Sequence, residues 1–259
     1  MPAELLSTSQ GKTLILTLRH PEARNALDES LYAAGVEALS VAERSDEVRS
    51  VVITGADGDF SVGTHLQRLL ARRQQGAEAQ AAAVEGLHSW IETIRTYPKP
   101  VIAAVEGAAS GSGFALALAC DLVVAARNAV FALPYSRMGL SAEGGASWNL
   151  SRALPRQLAA EWLMLGERID AERLHALGLV NRLAEPGRAL PEALLLAQAL
   201  NERAPHALAS AKDLLNDAPG HTLAAHLAAE RDHFVRNAQH AATGEGIAAS
   251  LEKRPHSYQ

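Results

Sequence analysis

Four short segments carry the groups that could do chemistry. The run Gly107-Ala108-Ala109-Ser110-Gly111-Ser112-Gly113 lies between an apolar strand-like segment and an apolar helix-like one. Free backbone N–H groups at a helix start can bind an anion or an oxygen that gains negative charge. The run is no dinucleotide fingerprint, because Leu116 stands where the third glycine would be. It is no nucleophile elbow either, because Ala108 stands two residues before Ser110. Taken alone, it reads as a tight turn where strand and helix touch. Ser141-Ala142-Glu143-Gly144-Gly145-Ala146-Ser147 sets one carboxylate among small residues. Glu143 reads equally as a general base against apolar walls or as a first-turn helix acid held by the helix dipole. Asp59 to Leu66 carries His65, a general base or, more ordinarily, a solvent-facing loop residue. His226, His233 and His240 recur every seven residues on one helix face. That spacing is too long for an i, i+4 metal pair, so they read as partly exposed helix residues and no metal site is expected.

The elements that must position these groups follow from patterning. Thr13 to Leu18 alternates as a strand, and Asp28 is placed to cap a helix bearing Leu31, Tyr32, Gly35, Val36 and Leu39. Ser50–Thr54, Val101–Val105 and Leu122–Ala126 read as short buried strands. Gln67 to Gln80 reads as a mobile loop or exposed helix, and Val84 to Thr96 as an amphipathic helix ending before Pro98. The glycine-rich turn leads into a helix from Phe114 to Cys120. Strands and helices alternate to about residue 182, which implies an α/β core. From about Pro191 helix follows helix, including Thr222 to Ala238 and Gly244 to Lys253, the latter with Thr243 as its cap. The expected division is a core over residues 1–195 and a helical region over 196–259.

Of 259 residues, 48% are hydrophobic, 4% are aromatic and about a fifth are alanine. Such a chain folds into a core, and its small side chains suit close helix packing. Twenty-four basic against 29 acidic residues leave a net charge of −5, which argues against a general nucleic-acid binder. The single cysteine, Cys120, excludes an intrachain disulfide. No stretch is long and apolar enough for a signal or a membrane span, so a soluble, cytoplasmic protein without membrane partners is expected.

Together these segments resemble the enoyl-CoA hydratase/isomerase (crotonase) superfamily. The resemblance rests on Pro21-Glu22-Ala23-Arg24-Asn25-Ala26-Leu27, Val51 through Leu66, Lys99 through Asp121, Gly166 to Asn181, and Glu245-Gly246-Ile247 with Glu252-Lys253-Arg254. It implies an α/β, crotonase-like spiral of ββα units with a C-terminal helical oligomerisation region. It also implies stabilisation of a thioester enolate by two backbone N–H groups, here those of Thr64 and Ser112. Small residues nearby would let the thioester reach them. His65 stands where the family often has Asp, and Ser112 where it often has Gly.

Hydratases of this family use two glutamates. The matching positions here are Ala115 and Tyr135, which cannot activate water as carboxylates do. Glu143 instead lies in a stretch similar to that bearing the single glutamate of some 3,2-enoyl-CoA isomerases. The resemblance therefore implies a Δ3,Δ2-enoyl-CoA isomerase, with Glu143 as proton shuttle and Thr64 and Ser112 completing the catalytic set. The alternatives are another reaction of the superfamily, such as hydration or isomerisation of a ring acyl-CoA, and a CoA-thioester-binding protein without turnover. For substrate binding it implies Arg24 at the CoA phosphates, Ala26 in the same loop, Leu66 beside the adenine and pantetheine, and Tyr135 at the acyl pocket. Lys253 would serve a neighbouring subunit's CoA in a homotrimer or a hexamer. No cofactor is expected, since coenzyme A is part of the substrate.

Overall fold

The computed structural model describes residues 3–258. The chain opens with two antiparallel strands, β1 (Glu4–Gln10) and β2 (Thr13–Arg19). The first is a strand that the mixed polarity of Leu5 and Leu6 among serines does not reveal. Six of its seven residues are exposed, so it shows no buried face to read. Helix α1 (Glu29–Glu43) follows, and Asp28 caps it by accepting from the Ser30 and Leu31 N–H groups, as expected. Next come β3 (Ser50–Gly55), α2 (Leu66–Gln75), α3 (Ala77–Thr96), β4 (Val101–Val105), β5 (Ala108–Ser110) and α4 (Ser112–Ala119). The stretch Gln67 to Gln80 is thus helical, broken at Gly76, and the helix after the glycine turn begins at Ser112 rather than Phe114.

The chain continues through β6 (Leu122–Ala126), β7 (Val130–Ala132), α5 (Ala146–Ala153), α6 (Arg156–Leu165), β8 (Arg168–Asp170), α7 (Ala171–Ala176) and β9 (Arg182–Ala184). Four helices close it: α8 (Ala189–Asn201), α9 (Pro205–Asp217), α10 (Leu223–Ala238) and α11 (Ala241–Glu252). The cap of α11 is His240, whose Nδ1 accepts from the Ala242 N–H. Thr243 does not cap it; its hydroxyl turns back to the Asn237 carbonyl at 2.6 Å.

The main sheet has six strands in the order β1-β2-β3-β4-β6-β9, parallel from β2 onward. A three-stranded sheet runs β5-β7-β8. The chain steps repeatedly from the first sheet to the second before entering a helix: β4 to β5 to α4, then β6 to β7 and on to α5. The step after β3 shrinks to a single bridge between Ser61 and Ala109. That repetition is the expected spiral of strand, strand and helix.

Parallel strands covered on both faces read as continuous apolar runs. Here alternate residues feed two cores. Val51, Ile53, Ala103, Val105, Val123 and Ala125 face the larger one. Val52, Ile102, Ala104 and Val124 meet Ala189, Ala193 and Ala197 of α8. Helix α8 therefore lies on the sheet and runs across residue 195. Beyond it, α9 is tied down by Lys212, whose Nζ donates to Asp121 Oδ2 and the Ile94 carbonyl, each at 2.8 Å. Helix α10 buries no residue, and Leu223, Leu227, Phe234 and Val235 are exposed on it. No helix among the described residues is long and apolar enough to cross a membrane.

Candidate active site

Three loops run side by side at one end of the strands. Phe60 N–H donates to the Glu106 carbonyl, Ser61 N–H to Ala108, and Ser110 N–H back to Ser61, all at 2.9 Å. On the other side Leu27 bridges to Thr64 in parallel fashion. In that pattern Leu27 bonds only the residues flanking Thr64: its N–H donates to Gly63, and its carbonyl accepts from His65. The Thr64 N–H is left pointing away from Leu27. The Ser112 N–H, in the first turn of α4, has no intrahelical acceptor. Neither amide donates to a protein acceptor among the described residues.

Gly63 makes the approach of the two loops possible. Its φ is +89°, and a Cβ there would stand 2.5 Å from the Ser110 carbonyl oxygen and 3.3 Å from the Ser112 nitrogen. Thr64 and Ser112 thereby come together, with their side-chain oxygens 3.0 Å apart.

Glu143 arrives from a separate loop. It is not in the first turn of a helix: α5 begins at Ala146, and Gly144 and Gly145, both at positive φ, intervene. The loop sits directly on α4, since a Cβ on Gly144 would be 2.9 Å from the Ala115 Cβ. Ala115 is fully buried by that contact and its neighbours. A longer side chain there would collide with the loop. The loop is steadied from α3, where His88 Nε2 accepts from the Gly144 N–H at 3.4 Å. Glu143 Oε1 accepts from the Thr64 hydroxyl at 2.7 Å. Two buried phenols lie close by. Burial, and then the negative charge of Glu143, push both Tyr32 and Tyr135 well above the usual tyrosine range. The Tyr135 hydroxyl is buried with no hydrogen-bond partner.

These groups open onto a cavity of about 810 Å³, a volume suited to a drug-sized or acyl-pantetheine ligand. Thr64, Ser112, Glu143, Ala26, Leu66 and Tyr135 all line it. Arg24 does not. Its guanidinium grips Asp59 with Nε and Nη2 at 2.7 and 3.2 Å, leaving the side chain exposed. Lys253 is exposed after α11 and does not line this cavity. His65 lines the cavity, caps α2 and stacks on His20 at 5.2 Å. The seven-residue histidine row disperses: His226 pairs with Glu230, His233 with Arg236, and His240 stacks on His206. No group of three or more His, Cys, Asp or Glu among the described residues could hold a metal ion. Sequence reasoning missed His88 and His20 at the cavity, and neither stands in a pattern that would mark it.

Two unengaged amides beside a lone carboxylate, at the strand ends of a parallel sheet, form a site for acid–base chemistry on a carbonyl that becomes an oxyanion. The chain matches the description of the enoyl-CoA hydratase/isomerase family over residues 8–259, and it belongs to that family. It is 38% identical to a putative enoyl-CoA hydratase of Thermus thermophilus, covering 97% of this chain and 99% of that protein. It is 32% identical to the 1,2-epoxyphenylacetyl-CoA isomerase of Escherichia coli, covering 96% of each. Among solved structures, an enoyl-CoA hydratase from Polaromonas superposes with a TM-score of 0.97 at 62% identity, over 98% of this chain and 99% of that one.

Proposed function

We propose that this enzyme shifts a double bond from C3 to C2 of an enoyl-CoA, with Glu143 as the single proton shuttle. The observation that carries this reading is the company Glu143 keeps. It is the one cavity carboxylate bonded beside the two free amides, while the positions of the hydratase glutamates are Ala115, packed under the Glu143 loop, and Tyr135. Glu22 also lines the cavity, but it sits on the exposed loop before Arg24.

The thioester oxygen sits between the Thr64 and Ser112 N–H groups. The free Glu143 oxygen takes the proton from C2, and the C–H electron pair spreads into a dienolate whose negative oxygen the two amides hold. The same carboxyl returns the proton to C4, which leaves the double bond between C2 and C3. A group that is base and then acid needs no second carboxylate. Arg24 would release Asp59 to meet the CoA phosphates, and Lys253 would reach a neighbouring subunit's CoA. The exposed apolar residues of α10 and α11 suit assembly as a homotrimer or a dimer of trimers. Beyond coenzyme A itself no cofactor enters the scheme.

The test is E143Q assayed on a 3-enoyl-CoA. The expected result is a fall in kcat of about 10²–10⁴-fold, with KM little changed. Retained isomerisation would remove the assignment. Hydration is the second reading, favoured by relatives such as the 2,3-dehydroadipyl-CoA hydratase of Escherichia coli, 35% identical over 97% of each chain. A 3-hydroxyacyl-CoA formed from a 2-enoyl-CoA, seen as the mass gain of one water, would favour it.

A further inference from the structure

The residues that offer the two amides also carry hydroxyl groups, and those hydroxyls are joined to the base. Thr64 Oγ1 lies 2.7 Å from Glu143 Oε1 and 3.0 Å from Ser112 Oγ. A threonine hydroxyl has one proton. When that proton points to the carboxylate, Thr64 can only accept from Ser112, so the chain runs Ser112 O–H to Thr64 O–H to Glu143. The three residues are 48 and 79 positions apart in sequence, and only the folded loops bring them together. Ser112 is fully buried, while Thr64 and Glu143 are half-buried, so water competes weakly for these bonds.

We propose that the Ser112–Thr64 hydroxyl pair is a positioning device for Glu143, separate from the backbone amides of the same two residues. It occupies one carboxylate oxygen and leaves the other free for the substrate proton. A hydroxyl suits this task better than a cation or an amide. A cation favours the anion and would hold Glu143 deprotonated when the proton has to be carried, while an N–H can only donate and would lose its partner whenever the acid proton falls on Oε1. A hydroxyl donates to the carboxylate and can accept from the carboxylic acid. If the acid proton falls on Oε1, the pair reverses: Glu143 donates to Thr64, and Thr64 to Ser112. Each of the three oxygens keeps a hydrogen-bond partner in either state, which matters because an orphaned one is costly.

This inference rests on Glu143 being the base, so its test reads proton abstraction apart from the overall reaction. Hexanoyl-CoA is incubated with the enzyme in D2O, and deuterium entering C2 is followed by mass spectrometry. Double-bond migration of 3-hexenoyl-CoA is measured in parallel. T64V keeps the backbone N–H and the side-chain shape but loses the hydroxyl. It should slow exchange about 10-fold or more, the weight of a hydrogen bond to a charged group, with KM nearly unchanged. T64S should restore most of the rate. S112A should cost less than T64V, and nothing further once Thr64 is already Val, because Ser112 acts through Thr64.

The device is overturned if T64V exchanges like the wild type, if T64S is as slow as T64V, or if the two losses simply add. It is overturned as well if the wild type shows no exchange or if E143Q leaves exchange intact, since there is then no base to hold. Exchange that responds to T64V without any double-bond migration would retire the isomerase reading and leave the device standing.

Discussion

Two buried polar clusters sit at opposite ends of the parallel strands, and they differ in whether their bonds close. At the joint with α9, Asp121 Oδ2 accepts from both the Lys212 ammonium and the Val101 N–H, and Lys212 also reaches the Ile94 carbonyl. Burial pushes Asp121 up and Lys212 down, and each charge opposes the shift of the other. At the cavity, the Thr64 and Ser112 amides and the Tyr135 hydroxyl have no protein acceptor, and one oxygen of Glu143 is free. A buried polar group without a partner costs stability. A closed cluster therefore fixes the fold, while an open one keeps its donors and its carboxylate oxygen for whatever enters the cavity, water or a ligand.

The largest expected effect tests the closed cluster. K212M leaves the half-buried Asp121 carboxylate without its counter-charge and should destabilise the protein by about 3 kcal/mol, the low end for a buried pair because Asp121 keeps some contact with solvent. Urea denaturation reads this as a lower midpoint, while kcat of the folded protein stays near wild type. Replacing both partners by apolar residues should recover part of the loss, but not all, because the Val101 N–H would still lack its acceptor.

A smaller effect on stability, with a larger one on rate, is expected from G144A at the open cluster. The new methyl must adopt φ near +62° and stand 2.9 Å from the Ala115 Cβ. Such strain and overpacking cost about 1–3 kcal/mol. Any relief moves the loop and draws Glu143 off Thr64, and a displacement near 1 Å can cost about 10²-fold in rate. If stability falls and kcat does not, the loop does not set the position of the carboxylate, and the contrast between the clusters weakens.

The closed parts were the more legible in sequence. The Asp28 cap and the apolar strands β3, β4 and β6 follow from local residue types, because their partners lie a few positions away or on a repeating face. The open cluster is assembled from far apart. Thr64 is singled out only through a resemblance of whole blocks, Glu143 on its local residues reads equally as a base or a helix acid, and nothing local says that their side chains meet. His88 could not be read at all, because one histidine on an amphipathic helix carries no sign of the Gly144 amide that it faces. The cap of α11 shows the reverse error. Thr243 has the better capping side chain, but its hydroxyl is drawn to the Asn237 carbonyl, and the helix begins at Ala241, with His240 as its cap.

The smallest effect concerns a third cluster, closed like the joint but open to water. Asp59 accepts from the Arg24 guanidinium and from the Ala108 N–H. Burial pushes the Asp59 carboxyl upward, but these two donors outweigh it and hold the group below the usual aspartate range. A carboxyl with a lowered folded pKa adds stability above its unfolded value near 3.8, and that stability is lost as pH falls through the folded value. Arg24 is 65% exposed on its side chain, so solvent screens the pair and its worth is under about 1 kcal/mol. R24A should therefore lower stability slightly at pH 7, and the gap from wild type should close in acid as Asp59 takes up its proton. Urea midpoints measured from pH 7 down to about pH 2, through and below the unfolded value, give the comparison. A gap that persists in acid would mean that Arg24 holds the loop by packing rather than charge. It would then be no easily opened pair, and the proposed exchange of Asp59 for a CoA phosphate would lose its physical basis.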